Sequence, residues 1–225
     1  MSVLVVVAHP DDEVLGCGGT LAKCSRTEAV HVLQIGQGIG ARQLPVAEHV
    51  RAIHRLRAAA LEAGKIVGAS SVILGSEDFP DNAFETVSLL SLVQVIESHI
   101  RHLRPTTIYT HHAGDLNVDH RRVFQAVLTA CRPLEECPVQ AIYSFEVPSA
   151  TEWAFQQLAV WAPTRFVDIR GHLETKLQAL ACYDSEARLF PHPRSPEAIR
   201  ALAQWRGAQS GMGCAEAFMV VRVWA

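Results

Sequence analysis

The chain has 225 residues, 49 % of them hydrophobic and 19 % charged, with a formal net charge of -3, which is enough apolar material for one domain with a substantial core. Slight acidity without a basic stripe excludes nucleic acid as the expected partner. No apolar run reaches the roughly 20 residues that cross a bilayer, and the 6 cysteines include no CxxC pair, so a reduced, cytoplasmic protein is expected.

Residues 3–7 are continuous Val and Leu, the pattern of a central strand buried on both faces of a parallel sheet. The start lacks the basic segment and long apolar core of a signal peptide, so no leader is expected. Gly16-Cys17-Gly18-Gly19 predicts a tight turn, and residues 29–35 a second strand. Between residues 47 and 67, Val50, Ile53, Leu56, Ala60 and Leu61 recur at helical spacing. A short strand at 72–74 and a polar loop at 78–82 precede a helix over 87–104 that Pro105 stops. A strand at 106–110, a loop at 111–118, a helix over 119–131 and a strand near 139–143 follow. Beyond residue 150 the pattern changes to a strand at 165–169, helices at 171–183 and 196–208, and a closing strand at 217–224. Alternating strands and helices predict an α/β fold, a mostly parallel sheet covered on both faces, with a core over about 1–145 and a C-terminal elaboration over 146–225 of one domain. Edge-strand candidates in the tryptophan-bearing C-terminal half permit a homo-oligomer.

Open parallel sheets gather their ligands at the carboxyl ends of the strands. That rule brings together the loops carrying His9, Asp11 and Asp12, residues 36–42, residues 78–82, and 111–120. His9 and Asp12, three residues apart on a tight turn, and His120 at a following helix form a set of two imidazoles and one carboxylate, suited to a catalytic Zn2+ or Fe2+ with a position left for water. Asp11 is then free to act as a base towards that water. The plainer reading of Pro10-Asp11-Asp12-Glu13, an acidic helix start, does not account for the second cluster around His120. Gly36-Gln37-Gly38-Ile39-Gly40-Ala41 nearly fits a dinucleotide fingerprint, but Pro45 delays the helix and no acidic residue follows at the needed distance. Those glycines are read instead as a substrate loop that aims Arg42. No GxSxG elbow marks a serine hydrolase. Trp153, Phe155 and Trp161 are candidates for a sugar-stacking wall or for core, and His192 for the pocket or a simple loop.

His9-Pro10-Asp11-Asp12-Glu13 with Gly16-Cys17-Gly18-Gly19, together with Asp115-Leu116-Asn117-Val118-Asp119-His120-Arg121, resembles the LmbE-like, or PIG-L, family of zinc-dependent N-deacetylases. Phe79-Pro80-Asp81-Asn82 and the segment Phe190-Pro191-His192-Pro193-Arg194-Ser195 are similar to a branch acting in sugar pathways. The resemblance implies a Rossmann-like fold and removal of an N-acetyl group from a small-molecule amino sugar. It implies zinc on His9, Asp12 and His120, with Asp11 as general base and Arg42, Asp81 and Asn82 as substrate contacts. Family members have His where this chain has Asn117, and Asn117 can donate a hydrogen bond to an oxyanion but cannot serve as an acid. The acid role then falls to Asp11 returning its proton, to His111 or His112, or to water. Asp119 and Glu13 are assigned to hydrogen bonds behind the metal ligands. Two other readings are kept: a metal-dependent hydrolase of another acyl, formyl, carbamoyl or ester bond, and a non-catalytic nucleotide-sugar-binding protein.

Overall fold

The computed structural model describes residues 2–40 and 44–224. Strand β1 (Ser2–Val7) leads into helix α1 (Asp12–Cys24), followed by β2 (Ala29–Gln34), α2 (Val46–Ile66), β3 (Ser71–Ile73), α3 (Leu89–Leu103), β4 (Thr107–His111), α4 (Val118–Ala130) and β5 (Ala141–Phe145). The chain then continues through β6 (Arg165–Asp168), α5 (Leu173–Ala181), α6 (Pro196–Gln209) and β7 (Ala215–Val223). These strands form a 7-stranded sheet in the order β3-β2-β1-β4-β5-β7-β6. Strands β1 to β5 pair in parallel, and only β7 runs against its neighbours. The expected α/β architecture is therefore present.

Strand β1 lies at the centre because both of its faces need cover. Val3, Val5 and Val7 pack into one apolar cluster with residues of α1 and α2, while Leu4, Val6 and Ala8 pack into a second with Leu92, Ile96, Val123 and Val127 of α3 and α4. Each such side chain contributes roughly 1.5–3 kcal/mol when fully buried. The strand order reverses at β1: the chain crosses outward to β2 and β3 on one side, then returns past β1 to β4 and β5 on the other. The carboxyl ends of β1 and β4 thus flank the crevice where such sheets hold ligands.

The glycine run departs from expectation. Gly16-Cys17-Gly18-Gly19 does not turn the chain but stays within α1, which is broken at Cys17 (φ -147°, ψ 19°). The glycines serve close packing: a Cβ on Gly16 would lie 2.2 Å from the Phe145 ring, and one on Gly19 would lie 2.9 Å from Ile169. The break frees amides that a continuous helix would use. Gly19 and Thr20 donate theirs to Glu216 of β7 at 3.0 and 2.7 Å, and Lys176 of α5 donates to the same carboxylate at 2.6 Å. A buried charge is tolerated there because it is paired and hydrogen-bonded. No helix among the described residues is long and apolar enough to cross a membrane.

Candidate active site

Past the end of β1 the chain turns through His9 and Pro10 into α1. Asp11 in this turn has φ 99°, a conformation that costs a residue with a Cβ about 1–3 kcal/mol unless its surroundings impose it. Those surroundings are present. The Asp11 N–H donates to Glu13 Oε2 at 3.2 Å, and Glu13 is fixed in turn by the Tyr183 hydroxyl and the Gln34 amide. Burial pushes the Glu13 carboxyl up to about 7, although the Tyr183 hydrogen bond opposes it.

The turn aims His9 and Asp12 at one point. Asp12 Oδ2 accepts the His9 backbone N–H at 2.9 Å and lies 3.5 Å from His9 Nδ1. From α4, His120 brings Nε2 to 3.3 Å from that oxygen. All three residues are buried, and their donor atoms lie within 4.8 Å of one another. Two imidazoles and a carboxylate at this separation fit a divalent ion such as zinc or ferrous iron.

Carboxylates stand behind both imidazoles. His9 Nε2 is 2.9 Å from Asp119 Oδ2 and 3.1 Å from Asp81 Oδ1. Asp119 also accepts the backbone N–H of Asn82 at 2.6 Å and of Phe84 at 2.8 Å, tying that loop to the β1 turn. His120 Nδ1 lies 3.1 Å from Asp115 Oδ1, and Asp115 is held by Thr151 Oγ1 at 2.7 Å and the Asn117 N–H at 2.9 Å. At His9 such a partner fixes the tautomer and direction of a ligating imidazole, whereas Asp115 acts on His120 by its charge, the contact lacking hydrogen-bond geometry. Burial opposes charge on the imidazoles, but the carboxylates outweigh it: Asp119 and Asp12 raise His9 to about 10, and Asp12 and Asp115 raise His120 to about 9. Burial also works to raise Asp12, yet His120 and His111 hold it well below the usual carboxylate range. At Asp11 burial dominates and keeps the carboxyl well above its ordinary value, against the pull of Arg194.

His9, Asp11, Asp12, Asp81, Asn82 and Asn117 share an open polar cavity of about 220 Å³ with His120 and Arg194. Next to it, Asp11 and Arg194 also border an apolar cavity of about 50 Å³ lined by Leu15, Leu177, Leu180 and Tyr183. Asn117 is the N-cap of α4: its Oδ1 accepts the Asp119 N–H at 2.8 Å and its Nδ2 donates to Asn82 Oδ1 at 3.1 Å. Arg42 lies outside the described residues, while Gly38 of the same glycine loop reaches the cavity rim.

The histidines weighed as replacement acids are engaged elsewhere. His111 Nε2 accepts the Ala8 N–H at 2.8 Å, and burial with the neighbouring His120 lowers it to about 3. His112 Nε2 meets the Ala159 carbonyl at 2.8 Å. Phe155 and Trp161 line a different cavity, and Trp153 packs edge-on against His192 with ring centroids 5.6 Å apart, so no aromatic wall borders the polar cavity among the described residues. Two contributors escaped residue-by-residue reading of the sequence. Tyr183 supports Glu13, and Arg194 Nη1 donates to Asp11 Oδ2 at 2.9 Å. The only signal for Arg194 was its place in the Phe190 to Ser195 segment.

A family model described as PIG-L: GlcNAc-PI de-N-acetylase matches residues 4–131. The chain belongs to the PIG-L family. A relative in Escherichia coli (strain K12), the uncharacterized deacetylase YaiS, is 28% identical over 154 residues, which span 65% of this chain and 74% of YaiS. Among solved structures, N,N'-diacetylchitobiose deacetylase from Pyrococcus horikoshii superposes with a TM-score of 0.77 at 18% identity, over 98% of this chain and 84% of that one. GalB, the 4-carboxy-2-hydroxymuconate hydratase from Pseudomonas putida KT2440, superposes with a TM-score of 0.74 at 24% identity, over 100% of this chain and 98% of that one. At these identities the two structures establish the shared fold, and the PIG-L match places the chain in a deacetylase family.

Proposed function

We propose that this PIG-L protein is a cytoplasmic, metal-dependent hydrolase that removes the N-acetyl group of an amino sugar or amino-sugar conjugate. The observation that carries the reading is the convergence of His9, Asp12 and His120 within 4.8 Å, with the carboxylate of Asp11 beside them in the same cavity. His9, Asp12 and His120 hold the ion, zinc or ferrous iron. When bound, the ion lowers the pKa of a water towards about 7 and polarises the acyl carbonyl.

Asp11 takes the proton of the attacking water and returns it to the departing amine. Burial raises its pKa, which strengthens it as an acceptor of the water's proton. Asp119 and Asp115 keep the two imidazoles directed inward, while Glu13 and Tyr183 hold the strained Asp11 turn. Asp81 and Asn82, with Arg42 from the neighbouring loop, contact the sugar hydroxyls. Asn117 keeps one N–H after bonding Asn82 and offers it as a weak neutral donor to the oxyanion. The apolar cavity beside Asp11, lined by Leu15, Leu177 and Leu180, offers a small hydrophobic place for an acetyl methyl.

A hydratase on this fold means that fold alone does not choose the bond. Acetate release from a panel of N-acetylated amino sugars by the metal-loaded protein tests the choice. Stoichiometric acetate and free amine support the reading; a metal-loaded protein that releases acetate from none of them overturns it.

A further inference from the structure

Amide hydrolysis moves negative charge onto the acyl oxygen, and the largest catalytic contributions come from fixed groups facing that charge. The neutral donors at this site are nearly spent. Asn117 has used its oxygen and one N–H, His111 accepts a backbone N–H, and His112 is turned to Ala159. Arg194 is the one Lys or Arg among the described residues that line the polar cavity.

Its guanidinium is built in rather than free to wander. Nε donates to Ser149 Oγ at 2.8 Å and towards the Pro148 carbonyl at 3.4 Å, Nη1 donates to Asp11 Oδ2 at 2.9 Å, and the Arg194 backbone N–H donates to His192 Nδ1 at 3.1 Å. The Nη2 amino group has no partner among the described residues, and the side chain keeps 24% exposure against 4% for Asp11. A planar, permanently charged fork with one arm on the base and one arm unused is arranged to meet a second oxygen close by.

We propose that Arg194 is a catalytic residue, pairing with the Asp11 carboxylate at rest and stabilising the acyl oxyanion during attack. The proposal rests on the de-N-acetylase reading above. Its charge balance is simple. Water gives a proton to Asp11, its oxygen bonds to the acyl carbon, and the carbonyl electron pair moves to oxygen, so the single negative charge leaves Asp11 and appears on the oxyanion. Arg194 faces it in both places. On collapse the C–N bond breaks, its electron pair stays with nitrogen, and nitrogen takes the proton back from Asp11; the products are the amine and acetic acid, whose remaining hydroxyl proton passes to the amine to leave ammonium and acetate.

The test uses the full, metal-loaded chain and the variants Arg194→Ala and Arg194→Lys, with acetate release from N-acetylated sugars as the assay and acetate binding by titration as a readout independent of turnover. Removal of one oxyanion donor predicts a kcat loss of about 10²–10³-fold in Arg194→Ala, with KM changed by less than about threefold and metal content unchanged. Guanidinium ion added at millimolar concentration restores part of that loss in Arg194→Ala and none in the wild type. Arg194→Lys recovers little, because a point charge lacks the fork. Acetate binds Arg194→Ala about tenfold more weakly, the loss of one charge-assisted hydrogen bond. A kcat within threefold of wild type, unchanged acetate affinity, or a loss that guanidinium does not rescue overturns the proposal. If Arg194→Ala fails to fold, Arg194→Lys carries the test, and acetate affinity and kcat equal to the wild type overturn it. A wild-type protein that binds metal but deacetylates nothing removes the parent reading, and this proposal with it.

Discussion

The two halves of the chain reach the same cavity by opposite means. Residues before α4 ends supply the candidate ion donors and Asp11 through the local rules of a parallel sheet: a buried strand, a sharp turn at its carboxyl end, and a helix start across the switch point. The C-terminal half supplies no donor of the His9, Asp12 and His120 set and acts through side chains that hold or face the residues of the first half. Arg194 holds Asp11, Tyr183 holds Glu13, and Glu216 with Lys176 caps the broken α1. The N-terminal half therefore sets which chemistry is possible, and the C-terminal half sets the orientation and electrostatics under which it runs.

Breaking the first half at its base has the largest expected effect. Asp11→Asn lowers acetate release by about 10²–10⁴-fold while leaving metal content unchanged, which parallel turnover and elemental analysis will check. Breaking the second half away from the cavity, at Lys176, acts on stability instead. Lys176→Met strands the buried Glu216 carboxylate, and denaturant unfolding is expected to show a loss of about 3 kcal/mol. A smaller effect separates the donors from their supports: Asp119→Asn weakens metal binding by about 10–100-fold, read from competition with a chelator.

The pH dependence of metal uptake sharpens the comparison further. In the metal-free protein His9 is raised to about 10 and His120 to about 9, both above the ordinary 6.5. Protonation of these imidazoles therefore stabilises the metal-free fold fully below about pH 6.5, and that contribution is lost as pH rises through 9 to 10. An ion must expel both protons, so metal affinity rises with pH, with a slope of about two in log K below pH 9 that flattens beyond 10. Titration calorimetry in buffers of different ionisation enthalpy measures the released protons directly.

The division also explains what could be read in the sequence. Val3 to Val7 and the His9 to Glu13 turn were legible because strand composition and short spacing encode them locally, and His120 because its loop follows another strand and so meets the same crevice. The glycine run misled because glycine marks both turns and close packing, and only the Phe145 and Ile169 contacts distinguish the two. Asn117 was expected as an oxyanion donor, and its place as the N-cap of α4, with bonds to Asp119 and Asn82, consumes most of its capacity. Arg194 and Tyr183 lie 183 and 170 positions from their partners, separations that no periodicity or spacing rule spans.

Metal reconstitution tests the central claim most directly. The protein is stripped with a chelator, titrated with Zn2+ or Fe2+, and followed by ion content and acetate release together, with His120→Ala as the control. One tightly held ion per chain is expected, with acetate release returning in proportion to it, and neither in His120→Ala. Acetate release that persists in the stripped protein, or in His120→Ala, would contradict the claim.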